Sequence, residues 1–238
     1  MTQIYTDAIR EGWQLLTSGA LDVWAIALVS LRVSGLATII ALSIGIPIGY
    51  YLGTTRSVSR TVALVFANTG MGLPPVAVGL LVAMTLSRRG PLGGMGLLYS
   101  QSAMIVAQLI IALPVIAAVT GAAVSAVPRE LRLQARSLGA SRFREMMLTI
   151  REARMGLLAA VAAGFGAIIS EVGASQMVGG NLAGDTRVMT TAIVQFTRMG
   201  RYGPALALAG ILVGIVFAVN LLLTSVQTSA EKYEGGGR

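Results

Sequence analysis

Charged residues in this chain fall into clusters separated by five apolar stretches, 25–51, 62–86, 103–127, 156–178 and 204–223. Across all five, only Arg32 and Glu171 carry a formal charge. A hydrocarbon core about 30 Å thick is crossed by roughly 20 apolar residues in helical form, so each stretch is long enough to span it. No alternating barrel-strand pattern is present, and backbone groups in lipid must be satisfied within their own segment. The pattern therefore predicts an all-α integral membrane protein with about five transmembrane helices. Pro47, Pro74, Pro75 and Pro114 fall inside these stretches and predict kinks or broken helices. Residues 4–16 follow a different rhythm: Ile4, Ala8, Ile9, Trp13 and Leu16 recur at helical spacing with Asp7, Arg10 and Glu11 among them. That is a short amphipathic helix of the kind that lies at an interface. The expected organisation is an external or interfacial segment over 1–22, a transmembrane domain over 23–226 and a tail over 227–238.

Composition sharpens the picture. Only 12% of the 238 residues are charged, against about a quarter in a soluble domain. Glycine, at 29 residues, is abundant, and small residues let transmembrane helices approach closely. Cysteine and histidine are absent. That excludes disulfides, thiol nucleophiles and imidazole bases, and with them most enzyme classes; no metal site and no cofactor is expected. The net charge of +8 is read by membrane side before nucleic acid is considered. Eleven Lys and Arg lie in 53–60, 128–155 and 224–238, and six lie in 1–22, 87–102 and 179–203. The positive-inside rule puts the N-terminus outside and the C-terminus in the cytoplasm, with no nucleic-acid partner needed. The first apolar run begins only near Val23 with no basic flank, so no cleavable signal peptide is expected.

The loop 128–155 carries the strongest local signal. Pro128 suits a first helical turn and Glu130 the positive end of its dipole. Leu131, Ala135 and Leu138 continue a helical face, and Gly139 allows a left-handed cap. Ser141 is a candidate N-cap for a second helix over 142–150, which carries Phe143, Met146 and Met147. The expected object is a helix, a Gly-Ala-Ser turn and a helix, presenting small and apolar residues among arginines. An ordinary basic loop held near anionic headgroups is the alternative; the ordered caps and apolar face favour a protein partner.

At this point the residues resemble a known family. The loop resembles the EAA loop of ABC importer permeases, with Gln134, Ala135 and Gly139 at the family's spacing, although its acidic first residue falls on Leu133 and its closing Leu-Pro on Arg151-Glu152. SLRVSGLA (30–37), LPPVAVG (73–79), SEVGASQMVGGN (170–181) and GDTRVMTTAI (184–193) resemble segments of molybdate- and sulfate-type permeases. The combination IREAR (150–154), GFGAIISEVGA and MVGGN looks most like the tungstate-type branch. The resemblance implies an ABC importer type I permease bundle whose cytoplasmic coupling helix seats in an ATPase groove. It makes Gln134, Ala135, Leu138, Gly139, Ala140, Ser141, Arg142 and Phe143 the coupling residues. It also implies two ATPase copies, a second permease copy in a homodimer, an external substrate-binding protein and residence in the plasma (inner) membrane of a prokaryote. A P-loop needs G-x-x-x-x-G-K-[ST]; the single lysine, Lys232, has no such glycine frame, so ATP hydrolysis is expected from a separate subunit.

A tetrahedral dianion crossing lipid needs hydrogen-bond donors that bind weakly enough to release. Candidates for the path are Ser170, Ser175, Asn181, Thr190 and Thr191, with backbone amides freed at Pro74 and Pro75. Arg187, in the GDTR segment, is a candidate external contact for the anion or the binding protein. Arg32 and Glu171 lie at matching depth, about 10 Å inside their stretches at 1.5 Å per residue. That suggests an ion pair between the first and fourth spans; alternatively Arg32 snorkels outward and Glu171 caps broken-helix amides. Tungstate is the expected cargo, with molybdate or sulfate as the alternatives. A stand-alone secondary transporter would call for inverted repeats and coupling carboxylates, which the sequence does not display. A non-transport membrane scaffold or intramembrane enzyme would call for a catalytic constellation in the spans, and none is present.

Overall fold

The structure is a computed structural model that describes residues 2–18 and 21–235; 236–238, the end of the expected tail, and 1, 19 and 20 lie outside that range. The described residues are helical, with no strand among them. The elements are α1 (Thr2–Thr17), α2 (Leu21–Thr54), α3 (Val58–Met71), α4 (Pro75–Leu86), α5 (Gln101–Ala126), α6 (Arg129–Ser137), α7 (Arg142–Glu152), α8 (Arg154–Ile169), α9 (Gly173–Gly179), α10 (Met189–Arg198) and α11 (Tyr202–Gly235). Three segments, Asp22–Thr54, Gln101–Ala126 and Tyr202–Thr228, are long and apolar enough to cross a bilayer alone. The pairs α3 with α4 and α7 with α8 qualify only when each is taken together, which brings the spans to between three and five.

The prolines divide as their surroundings dictate. Pro47 and Pro114 sit inside continuous helices. At Gly72, Leu73 and Pro74 the chain breaks, and Pro75 starts α4 at a position where its missing N–H is not needed. The stretch 156–178 is not one helix: α8 stops at Ile169 and a separate α9 begins at Gly173. Within the expected tail, α11 continues helically through Gly235.

The chain folds as two compact units. The first contains Met1–Ala37, Pro74–Ile110 and Gly166–Ala218. In it, α1 lies against the start of α11, where Gly12 faces the Gly203 carbonyl so closely that an added Cβ would stand 3.1 Å from the oxygen. Ala8 is buried, and Ile4, Tyr5, Ile9 and Trp13 are exposed, so the helix is amphipathic with its large apolar side chains uncovered. The short α9 packs against α4: a Cβ on Gly79 would lie 2.6 Å from the Ala174 Cα, so only glycine permits this approach.

The second unit contains Thr38–Leu73, Ile111–Phe165 and Val219–Arg238. Its spine is α2 against α5. Gly45, Gly49 and Gly53, four residues apart, face Ile116, Thr120 and Val124, and Cβ atoms built on these glycines would fall 2.8, 2.5 and 2.6 Å from those side chains. This small-xxx-small stripe brings two backbones together where no hydrophobic effect drives helix association. One apolar cluster joins Leu52, Ala67 and Ala117. A second joins Val124 and Val127 to Ala153, with Tyr50, Leu131 and Leu157 packed around them.

Candidate functional site

The basic hairpin α6–α7 belongs to the second unit. Residues 138–140 close α6 with paired backbone bonds: the Gly139 amide donates to the Arg136 carbonyl at 2.9 Å and the Ala140 amide to the Ala135 carbonyl at 3.0 Å. Gly139 has φ +83°, a left-handed turn that satisfies the helix's last carbonyls. The Ser141 hydroxyl then accepts the Arg144 amide and starts α7. Arg136 Nε donates to Glu145 Oε2 at 2.6 Å, tying the two helices across the turn. Glu145 is buried, and its hydrogen bond and charge raise the Arg136 guanidinium above its ordinary value. The hairpin is thus braced from within, while Leu138 and Phe143 at its tip are 89% and 66% exposed. Large apolar side chains held outward on a braced turn make it a candidate docking surface. Gln134, Ser141 and Arg142 are exposed in that tip region, whereas Ala135 and Ala140 are half-buried.

In the first unit, the separated segments 30–37, 74–79, 170–181 and 184–193 come together through hydrogen bonds and close packing. The Met189 amide donates to the buried Ser30 hydroxyl at 2.7 Å. Thr190 Oγ1 donates to the Glu171 carbonyl at 2.8 Å. The fully buried Thr186 hydroxyl donates to the Gly179 carbonyl and accepts the Leu182 amide, shaping the loop between α9 and α10. Pro75 opens the helix that packs on α9, and Val76 packs against Gly173.

The expected path donors are engaged inside this cluster. Thr191 Oγ1 donates to Asn181 Oδ1 at 2.8 Å, and Asn181 Nδ2 donates to Gln195 Oε1 at 2.9 Å. Ser175 is buried and receives Gln108 Nε2 at 3.4 Å. Ser170 alone of the five is exposed, and its proton goes to the Gly166 carbonyl. In this conformation the hydroxyls hold scaffold, because a buried O–H takes the nearest acceptor.

Arg32 and Glu171 are not joined. Glu171 Oε1 accepts the Ala174 amide at 2.9 Å and Arg32 is exposed, whereas Arg136 and Glu145 do form an ion pair. In this structure the Glu171 carboxylate thus accepts an amide of the helix that follows the break. Equal depth along two helices says nothing about which way each residue faces.

Arg187 lines a cavity of 330 Å³ with Asp22, Asp185, Phe196 and Arg201. Its Nε is buried without a hydrogen-bond partner, and the Arg201 guanidinium stacks 5.2 Å from the centre of the Phe196 ring. Gln108, Gln195, Thr186 and Glu145 were not singled out in the sequence. Gln108 was the readable one, a lone amide in the run 103–127. No group of His, Cys, Asp and Glu suited to a metal occurs among the described residues.

Residues 45–232 match the family model for the inner membrane component of binding-protein-dependent transport systems. The chain is 38% identical to the tungstate uptake system permease protein of Peptoclostridium acidaminophilum, over 93% of this chain and 97% of that protein. It is 39% identical to a probable anion ABC transporter permease protein of Haloferax volcanii, over 90% and 94% of the two chains. The molybdenum transport system permease protein of Azotobacter vinelandii is 28% identical over 86% of this chain and 93% of its own length. Among solved structures, an inward-facing methionine ABC transporter superposes with a TM-score of 0.71 at 18% identity, covering 88% of this chain and 94% of that one.

Proposed function

Because the chain belongs to the family of binding-protein-dependent transport system inner membrane components, we propose that it is the permease subunit of an ABC importer for a tetrahedral oxyanion, most specifically tungstate. The observation that carries this is near-full-length identity of 38% to a tungstate uptake permease, against 28% to a molybdenum one. Two copies of the chain form the translocation unit. Two copies of a separate ATPase seat on the hairpin tips at Leu138, Gly139 and Phe143, and an external binding protein delivers the anion. ATP hydrolysis belongs to the partner: this chain has no P-loop motif and neither histidine nor cysteine. The hairpin and the C-terminus face the cytoplasm, with the N-terminus outside, as the arginine distribution favours.

On this reading, ATP-driven approach of the two motors displaces the hairpins, and the helices bonded to them alternate between outward- and inward-open arrangements. Ser170, Ser175, Asn181, Thr190 and Thr191, with the break at Pro74 and Pro75, line the path once those hydrogen bonds exchange, and Arg187 meets the incoming anion or its carrier. Co-expression with the neighbouring ATPase and binding protein, followed by uptake of radiolabelled tungstate into proteoliposomes, tests the assignment. Tungstate uptake that requires all three components and resists excess molybdate is expected. ATP-independent uptake by the chain alone overturns it, and preference for molybdate overturns the choice of cargo.

A further inference from the structure

We propose that the second unit carries a binding site for a phosphate-type tetrahedral oxyanion, supplied by an anionic phospholipid headgroup, in the groove between the end of α2 and the start of α6. The groove has a volume of 640 Å³ and is lined by Arg56, Arg60, Arg129, Arg132 and Arg136. Glu130 and Glu145 are the carboxylates on the same wall, and Glu145 Oε2 is already bonded to Arg136. Five fixed cations therefore face two carboxylates, leaving a surplus of positive charge that an anion offsets.

The arrangement is built by the helix period. Arg129, Arg132 and Arg136 fall at i, i+3 and i+7 of α6 and so share one side of it. Gln134 and Leu138 line an adjoining depression that shares Glu130 and Leu133 with the groove but holds none of these arginines. The arginine cluster is therefore distinct from the apolar hairpin tip. Arg60 is aimed by its Nε bond to the Leu52 carbonyl at 2.7 Å, which leaves its terminal nitrogens for a ligand. Arg132 supplies the independent sign of a missing partner: its Nε is buried and bonded to nothing. A buried charged donor without an acceptor is unfavourable, and a planar guanidinium matches a tetrahedral oxyanion with two parallel bonds. The amides of the first turn of α6 add to the field, since Pro128 provides no side-chain cap.

Position identifies the source. Two membrane-crossing segments end at Thr54 and Ala126, and both residues line the groove. The arginines thus stand where hydrocarbon gives way to headgroups, and basic pockets at that level on the cytoplasmic side select anionic lipid. A free oxyanion offers the same chemistry from solution. The site needs no assumption about what the protein transports.

The test uses the full-length chain in detergent. Native mass spectrometry measures retention of phosphatidylglycerol against phosphatidylcholine, and equilibrium dialysis measures binding of inorganic phosphate. The comparison is among wild type, Arg56→Gln/Arg132→Gln and, as a control in another loop, Arg88→Gln/Arg89→Gln. Selective phosphatidylglycerol retention that falls by roughly tenfold or more in the first variant, and is kept by the control, confirms the lipid-supplied site. Phosphate binding lost in the first variant without lipid selectivity keeps the oxyanion site but moves its source to solution. If the double variant does not fold, Arg132→Lys replaces it; this keeps the charge but removes the orphaned Nε, and weaker binding is again expected. Equal binding by wild type and variant, or no binding of either probe by wild type, overturns the proposal.

Discussion

The turn at Gly139 offers a perturbation whose size can be worked out. Its φ of +83° lies in the left-handed region, and a Cβ added there meets no atom within 4 Å. A substitution at this site therefore acts through backbone conformation alone, without a clash that would unfold the rest of the chain. An L-residue in this conformation costs about 1–2 kcal/mol, and a β-branched one lies at the upper end. That is roughly a five- to thirty-fold loss in the population of the formed turn. Gly139→Val should lower oxyanion uptake by about tenfold in proteoliposomes containing the ATPase and binding protein. ATP hydrolysis should persist, so that more ATP is consumed per anion carried. Gly139→Asn, which tolerates the left-handed region, should stay near wild type, with Gly139→Ala between the two. Normal uptake and coupling in the valine variant would refute the assignment of this turn. So would an asparagine variant as impaired as the valine one, since the backbone argument separates them.

Three further outcomes follow from contacts elsewhere. Gly49→Leu drives a Cβ to within 2.5 Å of Thr120 and 2.8 Å of the Ala117 carbonyl; it should destabilise the detergent-solubilised protein by about 1–3 kcal/mol, read as a lower thermal midpoint, and an unchanged midpoint would show that α2 and α5 are not so closely seated. Glu171→Ala removes the α9 cap and should cost about 1 kcal/mol in the same melt, Glu171→Gln should cost less because its amide oxygen still accepts the Ala174 N–H, and exchanging the charges of Arg32 and Glu171 should rescue neither. Thr186→Val deletes both bonds of a fully buried hydroxyl and should cost about 2 kcal/mol, with faster proteolysis of the loop after α9; protection equal to wild type would count against that loop's dependence on it.

The hairpin could be read from sequence because its instructions are local. Pro128, Gly139 and Ser141 each act on neighbours within a few residues, and the structure has the left-handed turn and the serine cap where they were expected. The apolar stretches likewise reported their lengths, since crossing hydrocarbon depends on consecutive residues. What stayed hidden was rotational and long-range. The stretch 156–178 is long enough to read as one span, and although Glu171 raised a broken helix as an alternative, only the structure gives the break its place at Ser170–Val172, where the carboxylate accepts an amide three residues on. Thr190, Thr191 and Asn181 advertised donors, but a sequence does not state that the acceptors are the Glu171 carbonyl and one another. Arg129, Arg132 and Arg136 read as a basic loop until α6 and the end of α2 were placed around one hollow.

The glycine stripe on α2 bears on how force travels. Side chains of α5 fill the notches at Gly45, Gly49 and Gly53 like teeth in a rack, so neither helix slips lengthwise without lifting out of engagement. Because Val124, which fills the last notch, and Val127, three residues on, pack with Leu131 and Ala153 at the base of the hairpin, a tug on the hairpin would be delivered to both helices at once. Elastic give must then be sought at the seams where the backbone is already interrupted, at Gly72–Pro74 and Ser170–Val172, rather than along this strut.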